Sequence, residues 1–187
     1  MFRREIPGSV AEVGVNYGDT AKYINFFFYN RTLYLFDTFE GYPQGDIEFE
    51  RSASGAPDET VKFEFEEDIW RHRYDSGITE PDLLRKMYYP GKCVVKKGVF
   101  PESLLGLEDC FAFVHIDCNF SKPIQDALKY FYPRLAPGGY ICVHDYYHPI
   151  FSRIQAVVRE YAERNGAALV PVPSYEGVVI TKISAGR

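Results

Sequence analysis

Two acids and a histidine follow two apolar runs of the chain. Asp117 ends the run 110–117, and His144 and Asp145 follow the run 140–143. Adjacent parallel strands lie about 4.8 Å apart, so these side chains meet if the two runs are neighbouring strands. Two carboxylates with an imidazole or waters suit an octahedral divalent cation, which relieves their mutual repulsion. The pattern predicts a site for Mg²⁺ or Mn²⁺ at Asp117, His144 and Asp145; capping acids and a backbone-held histidine are the alternative.

A glycine-containing turn near the start of the chain indicates a second kind of site. Gly14 and Gly18 lie in the segment 12–18, Glu-Val-Gly-Val-Asn-Tyr-Gly, between an apolar run and a helical pattern. Glycines at such a turn let the backbone approach a ligand closely. Asp37 ends the next apolar run, where an acid accepts hydrogen bonds from a ribose diol. These residues predict a pocket for a nucleoside-containing cofactor; a helix cap or a turn cap is the alternative role of Asp37.

Composition and charge limit the class of protein. The 187 residues are 46% hydrophobic and 25% charged, as in one globular domain rather than a disordered chain. The net charge of −5 and the pI near 5.4 argue against nucleic acid or an anionic membrane as a partner. No apolar run approaches the ~20 residues that span a bilayer. Four cysteines without a Cys-x-x-Cys pair favour a reduced, cytoplasmic protein.

The elements that must position these residues alternate between short apolar runs and amphipathic segments. The apolar runs predict strands at residues 10–15, 32–37, 93–97, 110–117, 140–143, 167–171 and 177–183. Periodic segments predict helices at about 19–29, 123–135 and 151–165, and the Pro-Gly-Gly of 137–139 predicts a turn. Strands that are apolar on both faces and alternate with helices predict an α/β domain with a doubly wound, mostly parallel sheet. The last two strands are predicted to pair antiparallel at its edge.

A long insertion separates the second and third predicted strands. Residues 40–92 are rich in Gly, Pro, Asp and Glu. The aromatic residues scattered among them include Trp70, Tyr74, Tyr88 and Tyr89. Loops of this length are usually binding lids or disordered segments, and disordered segments are normally poor in aromatic residues. We therefore expect residues 41–92 to cover an acceptor site within a single domain of residues 1–187.

Five sequence blocks occur in the order that is typical of a known family. They are Ala-Glu-Val-Gly-Val-Asn-Tyr-Gly-Asp (11–19), Leu-Tyr-Leu-Phe-Asp-Thr-Phe-Glu-Gly (33–41), His-Ile-Asp-Cys-Asn (115–119), Phe-Tyr-Pro-Arg-Leu-Ala-Pro-Gly-Gly-Tyr (131–140) and Val-His-Asp-Tyr (143–146). Through the combination of these blocks, the chain resembles the macrocin O-methyltransferase family of S-adenosylmethionine-dependent methyltransferases. The resemblance extends from about residue 8 to residue 183.

The resemblance implies a fold, a cofactor site and a class of substrate. The fold would be a seven-stranded, Rossmann-like methyltransferase sheet with an antiparallel last strand. The residues expected at the S-adenosylmethionine site are Glu12, Gly14, Tyr17, Gly18, Asp37, Thr38, Gly98, Val99, Phe100 and Asp117. Of these, Asp37 would hold the ribose hydroxyls, and residues 98–100 would lie near the adenine. Asp117, His144 and Asp145 fall on the family's metal-site positions.

Relatives in this family methylate hydroxyls of sugars on macrolides and similar glycosides, so a sugar or glycoside is the expected acceptor. The chain departs from the family pattern at two points. Asn119 stands where the family often has a third acid, and an amide can coordinate a cation but cannot act as a base. Members usually carry a helical segment ahead of the first strand that contributes to the lid and to dimer contacts, whereas the first strand here begins near residue 10. We expect either a compact variant, with a homodimer as one option, or an incomplete acceptor site.

The expected reaction is an in-line transfer of a methyl group from a sulfonium to a hydroxyl that loses its proton. A divalent cation at the metal site would lower the pKa of the acceptor hydroxyl. Asp117 is the first candidate for the proton acceptor, and His144 and Lys122 are the alternatives. Two other functions stay open: a methyltransferase-like domain that binds the cofactor without catalysis, and a nicotinamide-dependent oxidoreductase. The oxidoreductase is disfavoured because the segment 12–18 lacks the third glycine of Gly-x-Gly-x-x-Gly.

Overall fold

A seven-stranded sheet in the order β3-β2-β1-β4-β5-β7-β6 forms the centre of the computed structural model, which describes residues 6–53, 75–148, 152–172 and 176–182. The strands are β1 Ser9–Val13, β2 Leu33–Asp37, β3 Cys93–Lys97, β4 Phe111–Ile116, β5 Leu135–Val143, β6 Ala168–Pro171 and β7 Val178–Thr181. The first five are parallel, and β7 pairs antiparallel with both β5 and β6. The predicted doubly wound sheet with an antiparallel last strand is therefore confirmed.

Helices cover both faces of this sheet. They are α1 Ala21–Phe27, α2 Gln44–Ala53, α3 Glu80–Lys86, α4 Ser121–Phe131 and α5 Ser152–Asn165, with 3₁₀ turns at Pro90–Lys92 and Glu102–Leu104. Successive side chains of a strand point to opposite faces. Accordingly, Leu33 and Leu35 of β2 belong to one buried cluster with Ile24 of α1, whereas Phe36 belongs to another with Ile124 of α4. With both faces covered, the carboxyl-terminal edge of the parallel strands is where a ligand has access.

The junction between α4 and β5 differs from the prediction. The helix expected to run to residue 135 ends at Phe131, and β5 begins at Leu135, so the Pro-Gly-Gly of 137–139 lies within a strand and not in a turn. The register between β4 and β5 shifts there, with extra residues on β5 as in a bulge. A Cβ on Gly139 would lie 2.9 Å from the carbonyl oxygen of Phe111. Close pairing with β4 thus prevails over the local preference of this segment for a turn.

Helices also occupy the described parts of the insertion between β2 and β3, which we had interpreted as a loop. α2 and α3 lie there, on either side of residues 54–74. Trp70 and Tyr74, two of the predicted lid aromatics, lie outside the described residues, whereas Tyr88 and Tyr89 are exposed. Among the described helices, none has the length and apolar character that crossing a membrane requires.

Candidate functional site

Two adjoining clefts open at the carboxyl ends of the parallel strands, with about 610 and 790 Å³ of space. These volumes include the open solvent at the mouth of each cleft. The first is lined by Val13, Gly14, Asn16, Phe36, Asp37, Thr38, Gly41, Tyr42, Pro43, Asp46, Gly98, Phe100, Asp117, Cys118, Asn119 and Pro123. The second is lined by Glu12, Gly14, Val15, Asn16, Tyr17, Asp19, Thr20, Asp117, Asn119, His144, Asp145 and His148. The clefts share Gly14, Asn16, Asp117 and Asn119, so ligands in the two would meet at that wall.

The turn between β1 and α1 builds the shared wall. Gly14 has a φ of 86°, and a Cβ on it would lie 2.0 Å from the carbonyl oxygen of Asp117. Only a residue without a side chain lets the ends of β1 and β4 approach this closely. The next polar residue, Asn16, has a φ of 49° and is also in the left-handed region. The backbone of this turn is therefore exposed to both clefts.

Asp37, at the end of β2, holds this turn in place. Its Oδ2 accepts hydrogen bonds from the backbone N–H groups of Val15 at 2.6 Å and Asn16 at 2.8 Å. Its Oδ1 accepts one from the N–H of Phe39 at 2.6 Å. A carboxylate offers about four acceptor positions, so at least one is left for a ligand hydroxyl. The structure thus assigns Asp37 the turn-capping role, and its contact with a ribose stays a prediction.

Asp117, His144 and Asp145 come together as predicted, at the ends of β4 and β5. One ligand atom from each lies within 4.8 Å of the others. Nδ1 of His144 is 2.7 Å from Oδ1 of Asp145 and 3.4 Å from Oδ1 of Asp117. The hydrogen bond with Asp145 raises the pKa of His144, and burial raises the pKa of Asp117. Two carboxylates and an imidazole converging in this way fit a divalent cation.

Asn119 links this cluster to the segment after β2. Its Nδ2 donates to Oδ2 of Asp145 at 2.7 Å, and its Oδ1 accepts from the hydroxyl of Tyr42 at 2.7 Å. The amide oxygen therefore points to Tyr42, while the amide nitrogen orients Asp145. We had not singled out Tyr42 from the sequence, although it directly follows the block 33–41. Its contribution depends on how the chain after β2 folds back over the sheet.

A buried acid–histidine pair lies behind the second cleft. Glu12 is 1% exposed, and its Oε1 is 2.9 Å from Nδ1 of His115. The other oxygen, Oε2, has no hydrogen-bond partner in the described part of the chain. Burial raises the pKa of Glu12 to about 7. His115 is a buried core residue whose ring is held by Glu12, while Glu12 lines the cleft with an oxygen that can accept a hydrogen bond from a ligand.

Buried polar and apolar contacts fasten α2 to the body of the domain. Glu50 of α2 accepts hydrogen bonds from the backbone N–H of Ser121 at 2.9 Å and from its hydroxyl at 2.6 Å. The carboxylate thereby caps the first turn of α4, where a negative charge is favourable. Ile47 packs beside these bonds in a small cluster with Phe120. The first part of the insertion is therefore a wall of the first cleft.

A family model for macrocin O-methyltransferases matches residues 1–171. The chain belongs to the macrocin O-methyltransferase family. Mycinamicin III 3″-O-methyltransferase from Micromonospora griseorubida is 23% identical to this family member over 182 residues, which cover 88% of the chain and 64% of the relative. The chain thus spans just under two thirds of the length of that relative.

Solved structures of two other methyltransferases share the fold. The O-methyltransferase NovP has a TM-score of 0.70 at 20% identity, over 95% of this chain and 72% of NovP. The calicheamicin methyltransferase CalS11 has a TM-score of 0.66 at 17% identity, over 95% of this chain and 73% of CalS11. At these identities the likeness supports the Rossmann-like architecture of this macrocin O-methyltransferase family member and nothing finer.

The residues predicted for the cofactor site of this family member lie in different places. Those that line one or both clefts are Glu12, Gly14, Tyr17, Asp37, Thr38, Gly98, Phe100 and Asp117. Gly18 faces the side chain of Leu83 in α3, and Val99 is 41% exposed. The catalytic candidate Lys122 bonds to Asp126 at 3.0 Å and is not among the described lining residues of either cleft. The geometry thus groups Asp117 with His144 and leaves Lys122 apart.

Proposed function

We propose that this domain binds S-adenosylmethionine and transfers its methyl group to a hydroxyl of a sugar-type small molecule. The observation that carries the proposal is the junction of the two clefts at Gly14 and Asp117. A group-transfer enzyme needs a donor site and an acceptor site that meet at the reacting atoms. Family membership over residues 1–171 supports the methyl-transfer chemistry.

The first cleft is the proposed site of the adenosyl part of the cofactor. Gly98 and Phe100 line one side of it and Asp37 lies at its base, where an acceptor position is left for a ribose hydroxyl. The methionine end would extend along the β1–α1 turn toward Glu12. The free Oε2 of Glu12 supports this direction, because a buried oxygen without a partner gains most from a ligand N–H donor. When bound, the cofactor supplies a methyl group on a sulfonium.

The second cleft is the proposed acceptor site. Asp117, His144 and Asp145 would hold a divalent cation, which when bound acts as a Lewis acid on the acceptor hydroxyl. The carboxylate of Asp117, which lines both clefts, is the proposed base that accepts the proton of that hydroxyl. Asn119 cannot take this part, since an amide does not accept a proton at neutral pH and its oxygen already accepts a hydrogen bond from Tyr42.

The acceptor class rests on the relatives. One is a mycinamicin III 3″-O-methyltransferase, and CalS11 is a TDP-rhamnose 3′-O-methyltransferase. We therefore propose a hydroxyl of a glycoside or sugar nucleotide. We also propose that the cation is magnesium, that the protein is cytoplasmic and that it forms a homodimer. The four free cysteines support a reduced compartment.

Thermal unfolding with and without S-adenosylhomocysteine tests cofactor binding. Ligand at a hundred times its dissociation constant adds about 2.7 kcal/mol, a shift of roughly 5–11 °C at this size. We expect the shift in the wild type and in the surface variant Glu163→Gln, and its loss in Asp37→Asn. A further rise with Mg²⁺ that EDTA and Asp145→Ala both remove would support the cation. No shift with this nucleoside, or protection by NAD instead, would contradict the proposal.

Turnover separates an enzyme from a domain that only binds. We expect methyl transfer to a member of a panel of sugar nucleotides, macrolide glycosides and catechols, and its loss in Asp117→Ala with cofactor affinity within a few fold. The second candidate is a domain that only binds the cofactor, and it is favoured by Asn119, an amide where the resemblance to the family implies an acid. Cofactor binding without turnover on any member of the panel would favour that alternative.

A further inference from the structure

Asp46 of α2 is a buried acid inside the first cleft that the proposed reaction does not use. The residue is 6% exposed and lines the same cleft as Gly98 and Phe100. The cation nearest to its carboxylate among the described residues is Lys122, whose Nζ is 4.0 Å away and beyond hydrogen-bond distance. The carboxylate is therefore close to a charge, but the described residues offer it no hydrogen-bond donor.

A comparison with Glu50 on the same helix shows why this is unusual. Glu50 is 5% exposed, as buried as Asp46, and it accepts two hydrogen bonds from Ser121. Burial without a hydrogen-bond donor disfavours the charged form of a carboxylate. Burial raises the pKa of Asp46 to about 6, which reflects this effect. A ligand that brings an N–H donor into the cleft would supply the missing hydrogen bond.

The charge of Asp46 itself selects the kind of donor. Among the neighbouring charges, Lys122 lowers the pKa of Asp46, and Asp126, Glu102 and Glu50 each raise it by a smaller amount. A carboxylate attracts an N–H group and disfavours a carbonyl oxygen. Asp46 shares the cleft with Gly98 and Phe100, the residues proposed to lie near the adenine. Adenine carries an exocyclic amino group with two N–H donors, whereas hypoxanthine carries a carbonyl oxygen at that position.

We propose that Asp46 accepts a hydrogen bond from the exocyclic amino group of the cofactor's adenine and thereby makes the site selective for a 6-aminopurine over a 6-oxopurine. The inference rests on the proposed function, because it requires the adenosyl group in the first cleft. It assigns α2 a part in cofactor specificity. Asp46 is then a specificity residue that acts on the base and takes no part in methyl transfer.

The test compares S-adenosylhomocysteine with S-inosylhomocysteine by isothermal titration calorimetry. We expect the wild type to bind the adenosyl ligand ~10–100-fold more tightly, as for a hydrogen bond to a charged group. In Asp46→Asn the preference should fall at least tenfold, since an amide can donate to the hypoxanthine oxygen as well as accept from adenine. Asp46→Ala should lose the preference for the adenosyl ligand as well. Asp126→Asn is the matched control: it removes a carboxylate bonded to the same Lys122 outside the cleft and should keep the preference.

The outcomes are distinguishable. An unchanged preference in Asp46→Asn, with the wild type binding S-adenosylhomocysteine, would overturn the role of Asp46 and leave the proposed function standing. An equal loss in Asp126→Asn would also overturn it, because the effect would then come from the charge around Lys122. No binding of either nucleoside by the wild type would overturn the proposed function and this inference together. Asp46→Asn should fold, because it removes a buried charge, and circular dichroism checks this.

Discussion

Replacement of Gly14 by alanine should be among the most damaging single changes in this protein. Two costs add at that position. The φ of 86° costs an L-residue about 1–2 kcal/mol. The new Cβ would also lie 2.0 Å from the carbonyl oxygen of Asp117 and 2.6 Å from its carbonyl carbon. Both atoms are backbone, so the clash can be relieved only by separating the ends of β1 and β4.

Two other glycines allow the cost of the backbone conformation to be measured separately from the cost of the clash. Gly166 has a φ of 60°, and apart from its chain neighbours no described residue lies within 4 Å of the position of its Cβ, so Gly166→Ala should lose only about 1 kcal/mol. Gly45 in α2 also has open space around its Cβ direction, so Gly45→Ala should gain about 0.5 kcal/mol from helix propensity. Gly14→Ala should lose more than about 4 kcal/mol, the range of severe core disruption. At this chain length that loss lowers the Tm by roughly 8–16 °C.

Urea unfolding followed by far-ultraviolet circular dichroism measures all three variants on one scale. The expected order of stability is Gly45→Ala, wild type, Gly166→Ala and, well below these, Gly14→Ala. A Gly14→Ala variant that loses no more than Gly166→Ala would refute the close contact between β1 and β4. Since Gly14 lines both clefts, the variant should also lose its response to S-adenosylhomocysteine at temperatures where it is still folded.

Three further predictions concern charged groups. Burial raises the pKa of Glu12 from 4.5 to about 7, so the folded state holds its proton more tightly than the unfolded chain. This stabilisation, about 3 kcal/mol, should be complete below pH 4.5 and disappear as the pH rises through 7, and urea unfolding from pH 5 to 8 should show a smaller decline in Glu12→Gln. Asp145→Ala should lower the pKa of His144, measured by NMR titration, because their hydrogen bond is the main cause of its rise; an unchanged value would contradict the contact. Glu50→Ala should lower the free energy of unfolding by about 2–3 kcal/mol, since it leaves the N–H and hydroxyl of Ser121 buried without an acceptor, and a loss below 1 kcal/mol would mean that α2 is not fastened there.

The local sequence pattern was sufficient to predict the strands that pair with their neighbours without a bulge. The strand predicted at 93–97 matches β3, and the strands at 32–37 and 110–117 differ from β2 and β4 by single terminal residues. The start of β5 was missed because Pro-Gly-Gly at 137–139 has the local signature of a turn. Only the bulged pairing of β5 with β4 shows that the segment continues the strand. Propensity describes a segment alone, whereas pairing depends on its neighbour.

The candidate site divides in the same way. That Asp117, His144 and Asp145 converge was predictable, because a parallel sheet brings successive strand ends to one edge. Tyr42 and Asp46 were missed, because they reach the cleft only when α2 docks on α4 through Glu50. No local periodicity encodes that contact between residues far apart in the sequence.

The sequence by itself determined which segments are apolar on both faces and form strands, and which residues stand at their ends. It also determined the family to which those sequence blocks belong. The tertiary structure decided what each end residue does. It turned Asp37 toward the backbone of the β1–α1 turn, pointed the oxygen of Asn119 at Tyr42, and buried Asp46 where no described residue donates to it. The physical reason is that residue type sets which hydrogen bonds a side chain can make, while the partner that it makes them with is chosen by long-range packing.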